Sequence, residues 1–285
     1  MTIIARAFIV AVCHIAFFFC VVLCLNSCNP DDNDQDKNND VSRKKLCLYG
    51  DSTLDASFLY DYLKEKSFTK VYNRCVCGSG YVNGYVNTVY YDMAKADTAV
   101  RIYFGDPVNT PERSNLPEGV YEIDAHQYSY ERIKTIPQDC DIILIGGGIN
   151  DIGFISETSI GEYKSIEDLS RENNFNVFGD CVISTIQRIK QRCPYSKILV
   201  LGISPSKGIL NGGADDEMAI CADRCIRQIC TLMDIPFYSL MENLGWNVDN
   251  IMEYTDGVHP NTENGRFIYA EAICSFLESS AIAEK

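Results

Sequence analysis

Short apolar runs alternate with amphipathic stretches from residue 45 to the end of the chain. In order, the runs are KLCLYG, KVYNRCVCG, CDIILIGGG, SKILVLGISP and the weaker IPFYSL. Continuous apolar strands separated by helices are typical of a parallel sheet whose two faces are both covered. The pattern therefore predicts an α/β fold with three layers, in which the runs form the central sheet.

Three of the intervening stretches have the periodicity of amphipathic helices. Their apolar stripes are Val182, Ile183, Ile186 and Ile189; Met218, Ala222, Cys225, Ile229 and Leu232; and Phe267, Ala270, Ile273 and Leu277. Two other stretches, 104–119 and 153–175, fit neither a strand nor a helix pattern. We expect them to be surface excursions, and long loops of this kind often shape the ligand site of an α/β protein.

The N-terminal segment differs in character from the rest of the chain. Arg6 is followed by the apolar run AFIVAVCHIAFFFCVVLCL, which has the length of a signal-peptide hydrophobic region. The following LNSC resembles a lipobox, so residues 1–27 are predicted to be a lipoprotein signal peptide, with Cys28 lipidated. An uncleaved membrane anchor is the alternative, and both place the rest of the chain outside the cytoplasm.

Residues 28–44 are predicted to be a disordered tether, followed by one globular domain at 45–285. The stretch 31–40 has five aspartates, one lysine and no apolar residue, so it cannot bury enough surface to fold. An acidic stretch after the lipidated cysteine also resembles the export signals of some surface lipoproteins. We expect the protein in the cell envelope, anchored in the outer membrane by the lipid, with exposure at the cell surface as one alternative.

The net charge of −14 limits the kinds of partner that the protein can bind. A strongly acidic chain repels nucleic acid and anionic bilayers, so neither is expected as the main partner. A neutral or cationic substrate is favoured instead, and we expect the protein to act as a monomer.

Fourteen cysteines are present, four of them in the leader and its cleavage site. The other ten belong to a domain too large to depend on disulfides, so buried thiols are expected, although pairing remains open. Cys75 and Cys77 would share one face of a strand, and Cys221 and Cys225 one face of a helix. The spacing in CADRCIRQIC matches no common metal pattern, so no metal site is predicted.

Polar or glycine residues follow three of the predicted strands. Ser52 follows the first, Gly78 the second and Asn150 the third. The carboxyl ends of parallel strands meet at one edge of the sheet, which is where ligands bind in open α/β folds. We therefore expect these three residues to lie close together.

The same residue types are those that acyl transfer requires. A serine hydroxyl becomes a nucleophile when an imidazole takes its proton, and a carboxylate must orient that imidazole. His259 lies three residues after Asp256 in YTDGVHPN, close enough across a turn to meet it. The N–H groups of Ser52 and Gly78 and the side-chain amide of Asn150 would bind the oxyanion.

Four blocks of the sequence resemble a known family. The blocks GDS, NRCVCG, GIND and DGVHP look like the four blocks of the SGNH (GDSL-type) hydrolases, in the family's order, over about residues 45–280. The resemblance implies that Ser52 is the nucleophile, that His259 is the base and that Asp256 orients it. It further implies that Gly78 and Asn150 donate to the oxyanion beside the Ser52 amide.

The resemblance also implies a fold and a chemistry. The family has a five-stranded parallel sheet in flavodoxin-like order and uses no metal or organic cofactor. Thr53 departs from the family, which usually has leucine there, and we expect this to affect packing and not chemistry. Asp51 is expected to shape the turn and to stay outside the triad.

Two functions of other classes compete with this interpretation. The stretch GSGYVNG after the second strand resembles a dinucleotide-binding turn, although it follows the wrong strand for that motif. A surface lipoprotein that keeps the fold only to bind glycans is the second, although no proposed triad or oxyanion residue is missing. His126 has no partner pattern and is expected to be an ordinary surface or core histidine.

The family blocks do not specify a substrate, which we expect to be a small-molecule or glycan acyl ester. Export, a surface tether and an acidic domain favour removal of acetyl groups from a carbohydrate. A lipase, lysophospholipase or thioesterase activity is the alternative. Phe154 and Tyr163, both in the second excursion, are candidates for stacking on sugar rings.

Overall fold

The computed structural model describes residues 44–66, 68–102, 113–210 and 214–282. The predicted signal peptide, Cys28 and all of the predicted tether except Lys44 lie outside the described residues. Most of the predicted excursion at 104–119 does so too.

A parallel sheet of five strands forms the centre of the domain. Its strands are β1 (Lys45–Tyr49), β2 (Lys70–Asn73), β6 (Ile142–Ile145), β7 (Lys197–Leu201) and β8 (Phe237–Tyr238). The spatial order is β2-β1-β6-β7-β8, and every neighbouring pair is parallel. Numbered within the sheet this is 2-1-3-4-5, the flavodoxin-like order, so the predicted fold class is confirmed.

Alternate residues of each strand enter two separate cores. On β1, Leu46 and Leu48 belong to one core, whereas Cys47 and Tyr49 belong to the other. This alternation follows from the two-residue period of a strand, and it explains why the strand sequences are apolar throughout.

Helices cover both faces of the sheet and complete the three layers. They are α1 (Ser57–Lys66), α2 (Tyr130–Ile133), α3 (Glu157–Ile160), α4 (Phe178–Arg192), α5 (Ala214–Leu232), α6 (Leu240–Asn243), α7 (Ile251–Tyr254) and α8 (Glu263–Ile282). Residues of α1 and α8 pack in the core with Leu46, and residues of α4 and α5 pack in the other. The three predicted helical stripes lie in α4, α5 and α8. Phe267 is an exception, because its side chain is exposed.

A second, antiparallel sheet lies in the chain between β2 and β6. Its strands are β3 (Thr88–Asp92), β4 (Val100–Arg101) and β5 (Val120–Asp124), in the order β4-β3-β5. It has a small core of its own, which contains Val89, Tyr91 and Ile123. The sequence pattern did not predict this sheet.

The excursion at 153–175 carries α3 and a 3-10 helix, Ile166–Ser170. Tyr163 is only 2% exposed, and its hydroxyl donates to Asp180 Oδ1 at 2.6 Å. The expectation that Tyr163 stacks on a sugar is therefore wrong, because its ring is part of the core. Phe154, by contrast, is exposed.

All ten cysteines of the described residues are free thiols. Cys75 and Cys77 lie after β2, with Cys75 buried and Cys77 exposed, so the prediction that they share a strand face is wrong. Cys221 and Cys225 both lie on α5, as predicted. Within the described ranges, no group of three or more metal-ligating side chains is placed to hold an ion, and no helix has the length and apolarity needed to cross a bilayer.

Candidate active site

Ser52 lies in a tight turn directly after β1. The turn is closed by the Asp55 N–H, which donates to the Asp51 carbonyl at 3.1 Å. The buried Asp51 carboxylate accepts from the Thr53 N–H at 2.9 Å and from the Thr53 hydroxyl at 2.7 Å. Asp51 therefore shapes the turn, and Thr53 contributes a hydrogen bond that the sequence analysis did not expect.

His259 reaches the Ser52 turn from far along the chain. Its Nε2 lies 2.9 Å from Ser52 Oγ, although 207 residues separate the two. The histidine is carried by a loop after α7 that begins with a bridge between Thr255 and Pro260. The loop packs on the segment after β7, where the Lys207 N–H donates to the Gly257 carbonyl at 2.7 Å.

Asp256 supports both the backbone and the ring of His259. Its Oδ1 accepts from the Val258 N–H at 3.0 Å and from the His259 N–H at 2.8 Å. Its Oδ2 lies 3.5 Å from His259 Nδ1, which is longer than a direct hydrogen bond and is an electrostatic contact. Such contacts commonly tighten when substrate binds.

The charge on Asp256 is favoured by its surroundings. The His259 backbone N–H, followed by that of Val258 and the charge of the imidazole, lowers the pKa of Asp256 below its usual value. The carboxylate is therefore ionised at neutral pH and can stabilise an imidazolium beside it.

Three groups are candidate oxyanion donors: the N–H groups of Ser52 and Gly78 and the side-chain amide of Asn150. Among the described residues, neither the Ser52 N–H nor the Gly78 N–H has a hydrogen-bond partner. Asn150 Nδ2 donates one hydrogen to the Ser79 carbonyl at 2.9 Å, which leaves the second hydrogen of its amide available. The backbone of Gly78 has φ +76°, a conformation that favours glycine.

The elements that carry two of these donors differ from the expectation. Gly78 does not end β2, because that strand stops at Asn73 and Gly78 lies in the loop beyond it. Asn150 lies in a 3-10 helix, Ile149–Asp151, after β6. Both residues nevertheless lie at the carboxyl edge of the sheet, as predicted.

Asp151 joins the loops that carry Gly78 and Asn150, and the sequence analysis missed it. The fully buried carboxylate accepts from the backbone N–H groups of Tyr81 (2.8 Å), Val82 (2.8 Å) and Asn83 (2.9 Å). Burial raises the pKa of Asp151 to about 7, against the opposing effect of these three N–H groups.

The same contacts explain the glycine-rich stretch GSGYVNG. A Cβ on Gly80 would meet the Asn83 carbonyl oxygen and the Asp151 carboxylate, so a side chain cannot fit there. The amides that a phosphate would need are already bonded to Asp151. The loop is therefore built around an internal carboxylate, and the dinucleotide interpretation loses its supporting feature.

Arg132 is the second residue that sequence reasoning missed. Its buried guanidinium donates to the carbonyls of Gly50 and Ala125 and to Ser79 Oγ, the last at 3.0 Å. It lies over the Tyr49 ring, 4.6 Å from the centroid. One cation thus ties the Ser52 turn to the Gly78 loop, and its charge opposes the rise in the pKa of Asp51 that burial causes.

The sequence indicates Asp151 more clearly than it indicates Arg132. Asp151 is part of the GIND block, so its position beside Asn150 was visible in the sequence. Arg132 lies in SYERIKT, where a charged residue on a short helix would ordinarily face solvent. His126 contacts Asp124, with Nδ1 and Oδ1 2.6 Å apart, and stacks on Tyr128, so it has a structural environment of its own.

No protein-family model and no curated protein matches this sequence. Solved structures do match the fold. A protein from Lactobacillus plantarum is 18% identical over 83% of this chain and 97% of its own, with a TM-score of 0.55. The two chains share one fold.

Two further structures have lower TM-scores. A GDSL-like lipase from Bacteroides thetaiotaomicron is 15% identical over 83% of this chain and 89% of its own, with a TM-score of 0.46. A lipase/acylhydrolase from Enterococcus faecalis is 11% identical over 84% and 97%, also with a TM-score of 0.46.

Proposed function

We propose that this protein is a serine ester hydrolase of the SGNH (GDSL-type) family. The observation that carries the proposal is the 2.9 Å contact between Ser52 Oγ and His259 Nε2, beside two unpartnered backbone N–H groups. A hydroxyl bonded to an imidazole and placed next to oxyanion donors is the arrangement that acyl transfer needs. The order of the four sequence blocks supports the family.

In the first half of the reaction, Ser52 Oγ attacks the ester carbonyl carbon while its proton moves to His259 Nε2. The oxygen that becomes negative is held by the N–H groups of Ser52 and Gly78 and by the free hydrogen of the Asn150 amide. The bond to the alcohol then breaks, and the alcohol leaves with the proton from His259. The acyl group remains on Ser52 as an ester.

In the second half, water attacks the acyl ester and gives its proton to His259. The same donors hold the second tetrahedral intermediate until the bond to Ser52 Oγ breaks. The free acid leaves, and Ser52 recovers its proton from His259. Asp256, ionised at neutral pH, stabilises the imidazolium in both halves.

For the substrate, we propose acetyl esters, with O-acetylated carbohydrate as the class. The acidic chain and its predicted export support this choice. An ester panel would decide it, with the full-length protein in mild detergent hydrolysing p-nitrophenyl acetate faster than p-nitrophenyl octanoate. Preference for the octanoate would move the assignment to a lipase or lysophospholipase, and preference for an acyl thioester would move it to a thioesterase.

The chemistry is tested by trapping the nucleophile. A fluorophosphonate probe should form a bond to Ser52 Oγ with loss of fluoride, found by mass spectrometry on the peptide that contains Ser52. Ser52→Ala should lose both labelling and turnover. The exposed Ser57 provides the control, since Ser57→Ala should keep both. Labelling without turnover of any ester or thioester would favour a glycan-binding lipoprotein that retains the site.

We further propose that Cys28 is lipidated and anchors the protein in the outer membrane. In a bacterial host, radiolabelled palmitate should enter the full-length protein and be absent from Cys28→Ser. Equal labelling of the two proteins would contradict the proposal.

A further inference from the structure

Two exposed aromatic side chains contact each other beside the candidate site. Tyr85 is 73% exposed and Phe154 is 51% exposed, and their ring centroids are 5.4 Å apart in an edge-to-face arrangement. Single exposed aromatic residues are common on protein surfaces and need no explanation. Exposed apolar side chains that are contiguous, by contrast, mark interaction surfaces and ligand-binding grooves.

Each ring is attached to one of the loops that carry the oxyanion donors. The Tyr85 N–H donates to the Gly78 carbonyl at 2.7 Å, and the Phe154 N–H donates to the Asp151 carbonyl at 2.8 Å. A Cβ on Gly78 would lie 3.5 Å from Tyr85 Cβ, so the tyrosine is in the immediate surroundings of that donor. The pair therefore lies on the two loops that carry Gly78 and Asn150 and that Asp151 joins.

The strand order shows where the loops of the aromatic pair and of His259 begin. The His259 loop packs on the segment after β7, whereas Gly78 follows β2, on the opposite side of β1. Tyr85 follows β2 and Phe154 follows β6, so the pair is carried by the loops after the two strands that flank β1, the strand that Ser52 follows. A substrate larger than the reacting ester would cover the pair.

We propose that Tyr85 and Phe154 bind a sugar ring of the substrate, an inference that rests on the proposed ester hydrolase function. An edge-to-face pair leaves ring faces open, and a flat C–H surface packs on such faces. Within the described structure the Tyr85 hydroxyl has no hydrogen-bond partner, so it is available to donate to an oxygen of the sugar. An alkyl chain, by contrast, is better held by an enclosed groove than by two exposed rings.

The test compares two acetyl esters, fully acetylated methyl xylopyranoside and ethyl acetate. For Tyr85→Ala and Phe154→Ala, the ratio of kcat/KM for the sugar ester to that for ethyl acetate should fall about tenfold, mainly through KM. Tyr85→Phe should retain most of the ratio, because it keeps the ring. Both alanine variants should fold, since the two side chains are mostly exposed.

Matched controls lie elsewhere on the surface. Tyr195 and Phe267 are exposed aromatic residues at the chain segment before β7 and on α8. Tyr195→Ala and Phe267→Ala should keep the wild-type ratio. An unchanged ratio in both site variants, or an equal loss on the two esters, would overturn the inference.

Methyl cinnamate, an ester with an aromatic acyl group, tests whether the pair binds an aromatic ring and not a sugar ring. Selective loss on methyl cinnamate with none on the acetylated sugar would overturn the assignment to sugar. Failure of the proposed function is recognised differently, by Ser52→Ala retaining turnover. If Ser52→Ala loses turnover but Tyr85→Ala keeps the same kcat/KM ratio as Tyr195→Ala, the ester hydrolase proposal stands and only the sugar-binding inference is wrong.

Discussion

The candidate site consists of two halves that are built differently. The half with Ser52 and the proposed oxyanion donors rests on three fully buried ionisable residues, Asp51, Arg132 and Asp151. The other half is a surface loop, in which the side chains of Asp256 and His259 are 50% and 43% exposed. Two carboxylates show the contrast, because the pKa of Asp151 is raised by burial whereas that of Asp256 is lowered by backbone N–H groups.

The difference matches what each half must do. Oxyanion donors are effective when they are fixed before the reaction begins, and buried hydrogen-bonded charges fix the loops that carry them. The base must exchange protons with water and meet an incoming substrate, which requires access. We therefore expect changes in the first half to affect stability strongly, and changes in the second half to affect mainly rate.

The largest effect should come from the exposed half. His259→Ala removes the group that accepts the Ser52 proton, so kcat should fall by at least about 10⁴-fold on p-nitrophenyl acetate. The thermal unfolding temperature should change little, because the side chain is partly exposed. His126→Ala provides the control and should keep its activity. Full activity in His259→Ala would exclude the proposed mechanism.

In the buried half, Arg132→Met should destabilise the protein by about 3–5 kcal/mol, because the buried carbonyls of Gly50 and Ala125 lose their donor. Urea unfolding measures this, with Arg224→Met on the exposed surface of α5 as the control. A loss below about 1 kcal/mol would mean that the buried charges do not hold the two loops together.

Asn150→Ala should sharpen the comparison, because Asn150 donates from the buried half and is itself only partly buried. Loss of one oxyanion donor should lower kcat by about 10²–10³-fold while KM stays similar. The free energy of unfolding should change by about 1 kcal/mol, from the lost bond to the Ser79 carbonyl. A change in KM alone would contradict a role in the transition state.

Asp151 should give the buried half a distinctive pH dependence. Because the pKa of Asp151 in the folded state, about 7, lies above its unfolded value, the group binds protons more strongly when folded. Its stabilising contribution is complete below pH about 4 and is lost as the pH rises to about 7. The free energy of unfolding of the wild type relative to Asp151→Asn should therefore fall over this range by roughly 2–4 kcal/mol. A flat difference would mean that the three N–H groups cancel the effect of burial on the pKa of Asp151.

Asp256 should show the opposite sign and the smallest effect. Its lowered pKa stabilises the folded state above pH about 4, and this contribution is lost as the pH falls further. Because the carboxylate is largely exposed, solvent screening limits the difference from Asp256→Asn to less than about 1 kcal/mol. If the stability of the wild type relative to Asp256→Asn increased as the pH falls, the pKa of Asp256 would be raised like that of Asp151, and the contrast between the two carboxylates would be wrong.

The sequence predicted the parallel sheet well because its strands are buried on both faces and are apolar throughout. It predicted the end of β2 less well, since Cys75 and Val76 are also buried and apolar. The Val76 N–H donates to the Gly50 carbonyl at 2.9 Å, so this segment follows β1 without being a strand. An apolar run indicates that a segment is buried, but a buried segment need not be a strand.

For the candidate site, the blocks identified Ser52 and His259, whose side chains lie 2.9 Å apart, and the roles of the other site residues stay predictions. The blocks did not identify Arg132, whose role depends on carbonyls from three distant segments. They did not identify the antiparallel sheet either, since β3 and β5 pair across 27 intervening residues, from Asp92 to Val120. Contacts of this kind arise from tertiary packing and leave no local pattern.

The pairing of β1 with β6 also has a kinetic consequence. The Lys45 N–H donates to Asp141 Oδ2, 96 residues along the chain, and the antiparallel sheet lies within that interval. Closing so long a loop is entropically unfavourable, and folds dominated by distant contacts form slowly. In refolding from urea, esterase activity should therefore return after most of the helical signal, because Ser52 and Asn150 are adjacent only once these two strands have paired.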